Sequence, residues 1–205
     1  MIKGLKICGV SEPITLDFII NHPYQQKFVG FITNYEKSKR FVHYDKLKEL
    51  LKIDKKQTKF VSVLVDPNNQ TLEKIKDLNF DYYQIYDVSP KRAKEIKERY
   101  KIKIISALTI DKQEDVDKYK DYYIFSDIIL FDSKGYHKSK SFDHKLLANI
   151  PNSLNKMIAG NIKIEDIPKF KNKDYIIDLS GALESSEGKK DIKKINKLLD
   201  LVNRI

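Results

Sequence analysis

A single cysteine, Cys8, and no tryptophan occur in the 205 residues. One thiol excludes an intramolecular disulfide, and a lone thiol without a secretory signal points to a reducing compartment. The opening Met1-Ile2-Lys3-Gly4-Leu5-Lys6 lacks the apolar core of a signal peptide. No uncharged run approaches the ~20 residues that a membrane helix needs. The expected location is the cytoplasm, with no membrane partner. Arginine is scarce as well: Arg40, Arg92, Arg99 and Arg204 are the only ones among 39 basic residues. A nucleic-acid binder concentrates its basic residues on one element, with arginine prominent. Here the lysines are spread along the chain. The formal net charge of +10 therefore reads as solvated lysine faces, with no nucleic-acid partner and some capacity to steer a small anion. Glycine and alanine are sparse, and no linker, low-complexity tract or close repeat divides the chain. Residues 1–205 are expected to form one domain.

What is present is a recurring pair of patterns. Short β-rich runs alternate with segments of helical spacing. The runs are Leu5 to Val10, Phe28 to Ile32, Phe60 to Val65, Tyr82 to Ile85, Lys103 to Leu108, Ile128 to Phe131, Lys156 to Ala159 and Tyr175 to Leu179. Ser11-Glu12-Pro13 offers a capping residue and a proline suited to a first helical turn. Helical stripes follow at Leu47, Leu50 and Leu51, at Leu72, Ile75 and Leu78, and from Pro90 to about Tyr100. A charged segment follows the fifth run. A short helix carries Ile164, Ile167 and Phe170, and a last one carries Ile192, Ile195, Leu198, Leu199 and Val202. Strict alternation of this kind predicts a parallel sheet buried on both faces. Eight units closing on themselves predict a single compact (β/α)8 TIM barrel. An open doubly wound sheet is the alternative. The chain is short for a barrel, whose typical length is ~250 residues, so its connections must be tight.

In such a barrel the active site lies at the C-terminal ends of the strands. That rule selects Cys8 at the end of the first run, Arg40 after the second and Asp132 directly after the sixth. It also selects Ala159-Gly160-Asn161 after the seventh and Ser180-Gly181-Ala182 after the eighth. Taken singly, each has an ordinary structural reading: a small buried hydrophobe, a surface charge, a loop acid or a turn residue. Together on one rim they suggest more. Small-residue turns after strands seven and eight suit phosphate, bound by backbone N–H groups. A thiol and a carboxyl nearby are a candidate base and acid.

These residues resemble the phosphoribosylanthranilate isomerase family of tryptophan biosynthesis, in order and over essentially the whole chain. The carrying segments are Lys6-Ile7-Cys8-Gly9, Gly30-Phe31, Ser38-Lys39-Arg40-Phe41-Val42, Leu130-Phe131-Asp132, Phe142-Asp143, Ala159-Gly160 and Asp178-Leu179-Ser180. Glu184, Gly188-Lys189-Lys190-Asp191 and Ile195 complete the set. The resemblance implies an aldose–ketose isomerase that converts N-(5-phosphoribosyl)anthranilate to 1-(2-carboxyphenylamino)-1-deoxyribulose 5-phosphate by an Amadori rearrangement. It implies Asp132 as general acid, Cys8 as general base and Arg40 as the clamp on the anthranilate carboxylate. Gly160, Asn161, Ser180 and Gly181 are implied phosphate-binding residues; Gln84, Tyr86 and Asp178 are candidate substrate contacts. The implied chemistry needs neither metal nor organic cofactor. A monomer or homodimer acting on a small phosphosugar is expected. The sequence departs from the family pattern at Lys39, where proline is usual, and at Tyr86-Asp87, where histidine and glycine are usual. Further departures are Tyr136-His137-Lys138-Ser139 in the sixth loop, Asn161 after strand seven and Gly181-Ala182 after strand eight.

Two other readings stand beside this one. Another phosphosugar-binding barrel enzyme, an epimerase or the neighbouring synthase of the pathway, would share the phosphate turns; the synthase is expected to carry a catalytic lysine set that is not found here. A non-catalytic polyanion-binding barrel would rest on the charge alone, and would bind arbitrary DNA with a steep salt dependence.

Overall fold

Alternation along each strand sends neighbouring side chains to opposite faces of the sheet, and both faces here are buried. The computed structural model describes residues 1–133 and 141–205, so the sixth-loop segment 136–139 lies outside the described residues. The strands are β1 (Gly4–Cys8), β2 (Lys27–Ile32), β3 (Lys59–Val65), β4 (Tyr82–Tyr86), β5 (Lys103–Ile110), β6 (Ile128–Ser133), β7 (Lys156–Ile158) and β8 (Tyr175–Leu179). Each pairs in parallel with the next, and β8 returns to pair with β1, with Lys6 opposite Asp178. The result is a closed (β/α)8 barrel.

The outer face of the sheet packs under the helices. These are α1 (Pro13–Asn21), α2 (Tyr44–Leu50), α3 (Asn69–Ile75), α4 (Pro90–Tyr100), α5 (Gln113–Asp117), α6 (Tyr119–Tyr122) and α7 (Ile192–Arg204). Their apolar stripes, with Leu5, Ile7, Phe31, Phe60 and Ile129 from the strands, form the larger core. Fully burying an aliphatic side chain of this kind stabilises the fold by ~1.5–3 kcal/mol. The inner face forms a smaller core of Phe28, Val61, Val63, Ile105, Ile128, Leu130, Met157 and Ile176. Lys6 and Gln84, midway along their strands, and Asp132 and Asp178, nearer the C-terminal ends of theirs, stand at positions of the same alternation. The barrel interior is thus apolar at its base and polar at its top.

Several elements differ from expectation in their ends. β1 stops at Cys8, and Asp132 lies within β6 rather than after it, because Asp132 and Ser133 continue the pairing, with Thr109 and Ile110 of β5. Ser11 does not cap α1; Glu12 occupies that place without a side-chain bond, and Pro13 begins the helix. α3 ends at Ile75, leaving Leu78 half-buried in the turn beyond. The segment after β5 breaks into α5 and α6. After β6 and β7 the chain forms 3-10 helices at His144–Leu147 and Ile164–Phe170. Pro168 inside the second lacks an N–H and crowds the preceding turn, which disfavours an α-helix there. Such short connections are how a chain of this length closes a barrel. Among the described residues, no helix is long and apolar enough to cross a membrane.

Candidate active site

The C-terminal ends of the strands surround a cleft of about 600 Å³ lined by Cys8, Arg40, Tyr86, Asp132, Gly160, Asn161, Asp178, Ser180 and Gly181. The predicted residues therefore converge, with one difference. Gln84 has no exposure and lies beneath Tyr86 rather than on the cleft wall. An adjoining cavity of about 370 Å³ shares Cys8, Arg40, Tyr86 and Asp132 and extends to Tyr35, Ser38 and Lys39.

Cys8 ends β1 and is buried. Two residues earlier on the same face, Lys6 is wholly buried, and its Nζ donates to Asp178 Oδ2 at 2.7 Å across the β1–β8 seam. Gly30 of β2 completes this corner: a Cβ there would lie 3.0 Å from both Cys8 Sγ and Lys6 Nζ. A side chain there would crowd the thiol and the ammonium that glycine lets stand side by side. Burial works against the Lys6 charge, but Asp178 and Cys8 outweigh it and raise its pKa. Burial also pushes the Cys8 thiol up; Lys6 pulls it down, Asp178 pushes it up again, and Lys190 pulls it down, with the net direction upward.

Asp132, on β6, is oriented from two sides. Its Oδ2 accepts a 2.8 Å bond from the Tyr86 hydroxyl, and its Oδ1 accepts a 2.8 Å bond from the Ser133 amide. Burial raises its pKa to about 6, with Asp178 adding to the rise and Tyr86, Ser133 and Lys6 opposing it. This carboxyl is poised to hold or give up a proton near neutral pH.

Arg40 reaches the rim from the loop after β2. Gly9, at φ +77°, lets its stem pass, since a Cβ there would lie 2.4 Å from Arg40 Cδ. The Nε and Nη2 of Arg40 form a fork onto Glu184, at 2.6 and 2.9 Å. Glu184 begins β9 (Glu184–Ser186), which pairs with β10 (Lys189–Lys190) in a hairpin after the barrel closes. Lys190 Nζ donates to Glu184 Oε1 at 2.7 Å and the Gly188 amide to Oε2 at 3.1 Å. Burial alone would raise the Glu184 pKa, but these partners override it and hold it at about 2. The hairpin thus anchors an arginine that the sequence places 144 residues away.

The turns after β7 and β8 face the same cleft. Gly160 and Asn161 adopt φ of +95° and +53°. The Ser180 hydroxyl donates to the Cys8 carbonyl at 3.0 Å, so what Ser180 can offer an anion is its backbone N–H. Lys163, Lys194 and Lys197 line this end of the cleft and give it a positive field.

Sequence reasoning assigned no role to Lys6, and the signal was available: a charged residue at the alternation position of Cys8 in a strand with no exposed face. Lys190 gave no comparable signal, because the C-terminal segment is lysine-rich throughout.

Residues 5–201 match the family model of N-(5'-phosphoribosyl)anthranilate (PRA) isomerase. Two curated N-(5'-phosphoribosyl)anthranilate isomerases are similar along nearly their whole length. The protein from Agrobacterium fabrum is 31% identical, covering 99% of this chain and 96% of its own. The one from Campylobacter jejuni is 32% identical, covering 95% and 96%. The chain belongs to the phosphoribosylanthranilate isomerase family. Its fold agrees: the crystal structure of the family's Thermotoga maritima protein superposes with a TM-score of 0.87 at 22% identity over 100% of both chains. A crystal structure of a phosphoribosyl anthranilate isomerase in complex with reduced 1-(o-carboxyphenylamino)-1-deoxyribulose 5-phosphate gives a TM-score of 0.85 at 21% identity, again over 100% of both chains. The chain is an isomerase, and the synthase, epimerase and polyanion-binding readings give way to the family match.

Proposed function

We propose that this isomerase converts N-(5-phosphoribosyl)anthranilate to 1-(2-carboxyphenylamino)-1-deoxyribulose 5-phosphate, with Asp132 as general acid and Cys8 as general base. The observation that supports this most is their meeting in one cleft, from β6 and β1, between the anchored Arg40 and the turns after β7 and β8. Asp132 gives its proton to the ribose ring oxygen as the C1–O bond breaks, and the anilino nitrogen lone pair forms the iminium. The Cys8 thiolate then takes the proton from C2. The C2–H electrons form a C1–C2 double bond and the iminium electrons return to nitrogen, giving an enolamine. Proton transfer from the C2 hydroxyl and onto C1 completes the ketone. The iminium is its own electron sink. Its positive charge, with that of Lys6, favours the thiolate at the moment it is needed.

Phosphate is held by backbone N–H groups around Gly160, Asn161, Ser180 and Gly181, a preorganised anion site in a positive field. The substrate carboxylate docks on the Nη1–Nη2 end of Arg40, because Glu184 takes its Nε–Nη2 side. A guanidinium presents both edges to carboxylates, and pinning one fixes the aim of the other. Arg40→Ala is expected to raise KM by about ten- to a hundredfold with a smaller change in kcat, the scale of a lost charged hydrogen bond. A variant matching the parent in both constants would remove Arg40 from the binding site.

The direct test of the proposed reaction is turnover of synthesised phosphoribosylanthranilate by the purified protein, followed as loss of the anthranilate adduct. A folded protein that shows no turnover of this compound would contradict the reading.

A further inference from the structure

Gln84 and Tyr86 stand two residues apart on β4, both on the face that points into the barrel. The Gln84 Nε2 donates to the Tyr86 hydroxyl at 3.1 Å, and the hydroxyl donates to Asp132 Oδ2 at 2.8 Å. A phenol has one hydrogen. With the amide donating into its oxygen, that hydrogen points at Asp132, and the chain of donors runs one way, from β4 to β6. The Ser133 amide holds the second carboxyl oxygen at 2.8 Å. Each oxygen therefore has one fixed partner and keeps a lone pair for the transferred proton.

Gln84 carries a second sign. Its Oε1 is buried without a hydrogen-bond partner among the described residues. A buried acceptor left unmade is costly, and a leucine would fill much the same space. What the amide supplies there is its N–H, which the Tyr86 hydroxyl accepts.

We propose that Tyr86, oriented by Gln84, is a positioning residue for the acid, holding the Asp132 carboxyl toward the cleft and favouring its ionised form. The inference rests on the assignment of Asp132 as general acid. It moves Tyr86 and Gln84 from the substrate to the acid: neither is needed as a substrate contact. The chemistry follows from burial. Burial holds this carboxyl toward its protonated form, and a donor aimed at it stabilises the charge that appears as the proton leaves. The other groups facing it are Asp178 on β8, which raises its proton affinity, and Lys6 on β1, which lowers it. Cys8 on β1 and Arg40 share the cleft. The flanking strands bring Thr109 and Ala159, which do not titrate.

Tyr86→Phe keeps the ring and removes the hydroxyl. The Asp132 carboxyl, assigned by difference from Asp132→Asn, is titrated by carbon NMR or by its infrared carbonyl band. It is expected to titrate about one pH unit higher in Tyr86→Phe than in the parent, the scale of a hydrogen bond to a charged group. Gln84→Leu, at similar volume, is expected to shift it in the same direction by less. In kinetics, the effect of Tyr86→Phe on kcat in the parent background is expected to be absent from Asp132→Asn, since the two act through one group. Folded Tyr86→Phe and Gln84→Leu proteins whose Asp132 titrates as in the parent overturn the proposal. Losses that multiply in the double variant also overturn it, by placing Tyr86 on the substrate. The titration needs no turnover, so a parent inactive on phosphoribosylanthranilate with the shift intact condemns the reaction and leaves the coupling supported.

Discussion

Replacing Cys8 by alanine or serine is expected to cost roughly 10²–10⁴-fold in single-turnover rate, the range for a general base, while the barrel stays folded. A cysteine that only filled the end of β1 would behave otherwise. Alanine would then leave a small void and cost about 1 kcal/mol of stability, as point substitutions commonly do, with near-parental chemistry. Serine separates the readings further. It nearly preserves shape and can keep a bond to Lys6, but its hydroxyl ionises far less readily than a thiol. The environment sharpens the expectation. Burial raises the Cys8 pKa despite Lys6, so the resting thiol is mainly protonated at neutral pH. On the proposed mechanism the active base is a minority thiolate, stabilised by Lys6 and by the substrate cation. A folded Cys8→Ala protein with near-parental single-turnover rates would falsify the role of Cys8, and would leave Asp132 and the phosphate turns as the remaining supports for the mechanism.

Asp132→Asn is expected to lower kcat by roughly 10²–10⁴-fold with little change in substrate affinity, because the phosphate and carboxylate contacts lie elsewhere on the rim. The pH dependence is the more discriminating readout. The productive form needs Asp132 protonated and Cys8 ionised. The carboxyl titrates at about 6, and burial places the thiol above its ordinary value, so the productive form is a minority at every pH. Below about 6 the acid is protonated, and the thiolate fraction rises with pH. Between the two pKa values the falling acid and the rising thiolate compensate, and kcat/KM is level. Above the thiol pKa only the acid falls, and so does the rate. The acid limb of the bell therefore belongs to Asp132, near 6, and the alkaline limb to Cys8. In Asp132→Asn the limb near 6 is expected to disappear, leaving a residual rate that climbs until the thiol is ionised. An unchanged kcat under conditions where chemistry limits turnover, or a surviving limb near 6, would remove Asp132 from the mechanism.

The assignment of limbs shows what a sequence leaves open. The rule for barrel active sites marks Cys8 and Asp132 as a candidate base and acid, and the family resemblance assigns the two roles. Which of them titrates first depends on desolvation and on charges from β1, β4 and β8, which lie far apart in sequence. Gln84 illustrates the same limit. Its place two residues before Tyr86 suggests the same cleft, but the strand's rise carries it one layer deeper, where it meets Tyr86 and not solvent.

The alternation of apolar runs and helical stripes was enough to predict a parallel α/β fold, because parallel strands buried on both faces and joined by helices have few other ways to pack; that the sheet closes into a barrel rather than opening into a doubly wound one was decided by the pairing of β8 with β1. The alternation determined the rim as well, since strand ends are visible wherever an apolar run stops. Strand limits such as the inclusion of Asp132 in β6 were decided by pairing with β5, a tertiary contact. So was the fork from Arg40 to Glu184, which exists because closure of the barrel brings the segment after β8 back beside the loop after β2. The Lys6–Asp178 pair across the β1–β8 seam has the same origin. Local pattern specifies what a segment becomes, whereas pKa and the aim of a side chain follow from which distant segments surround it, and closure of the barrel decides that.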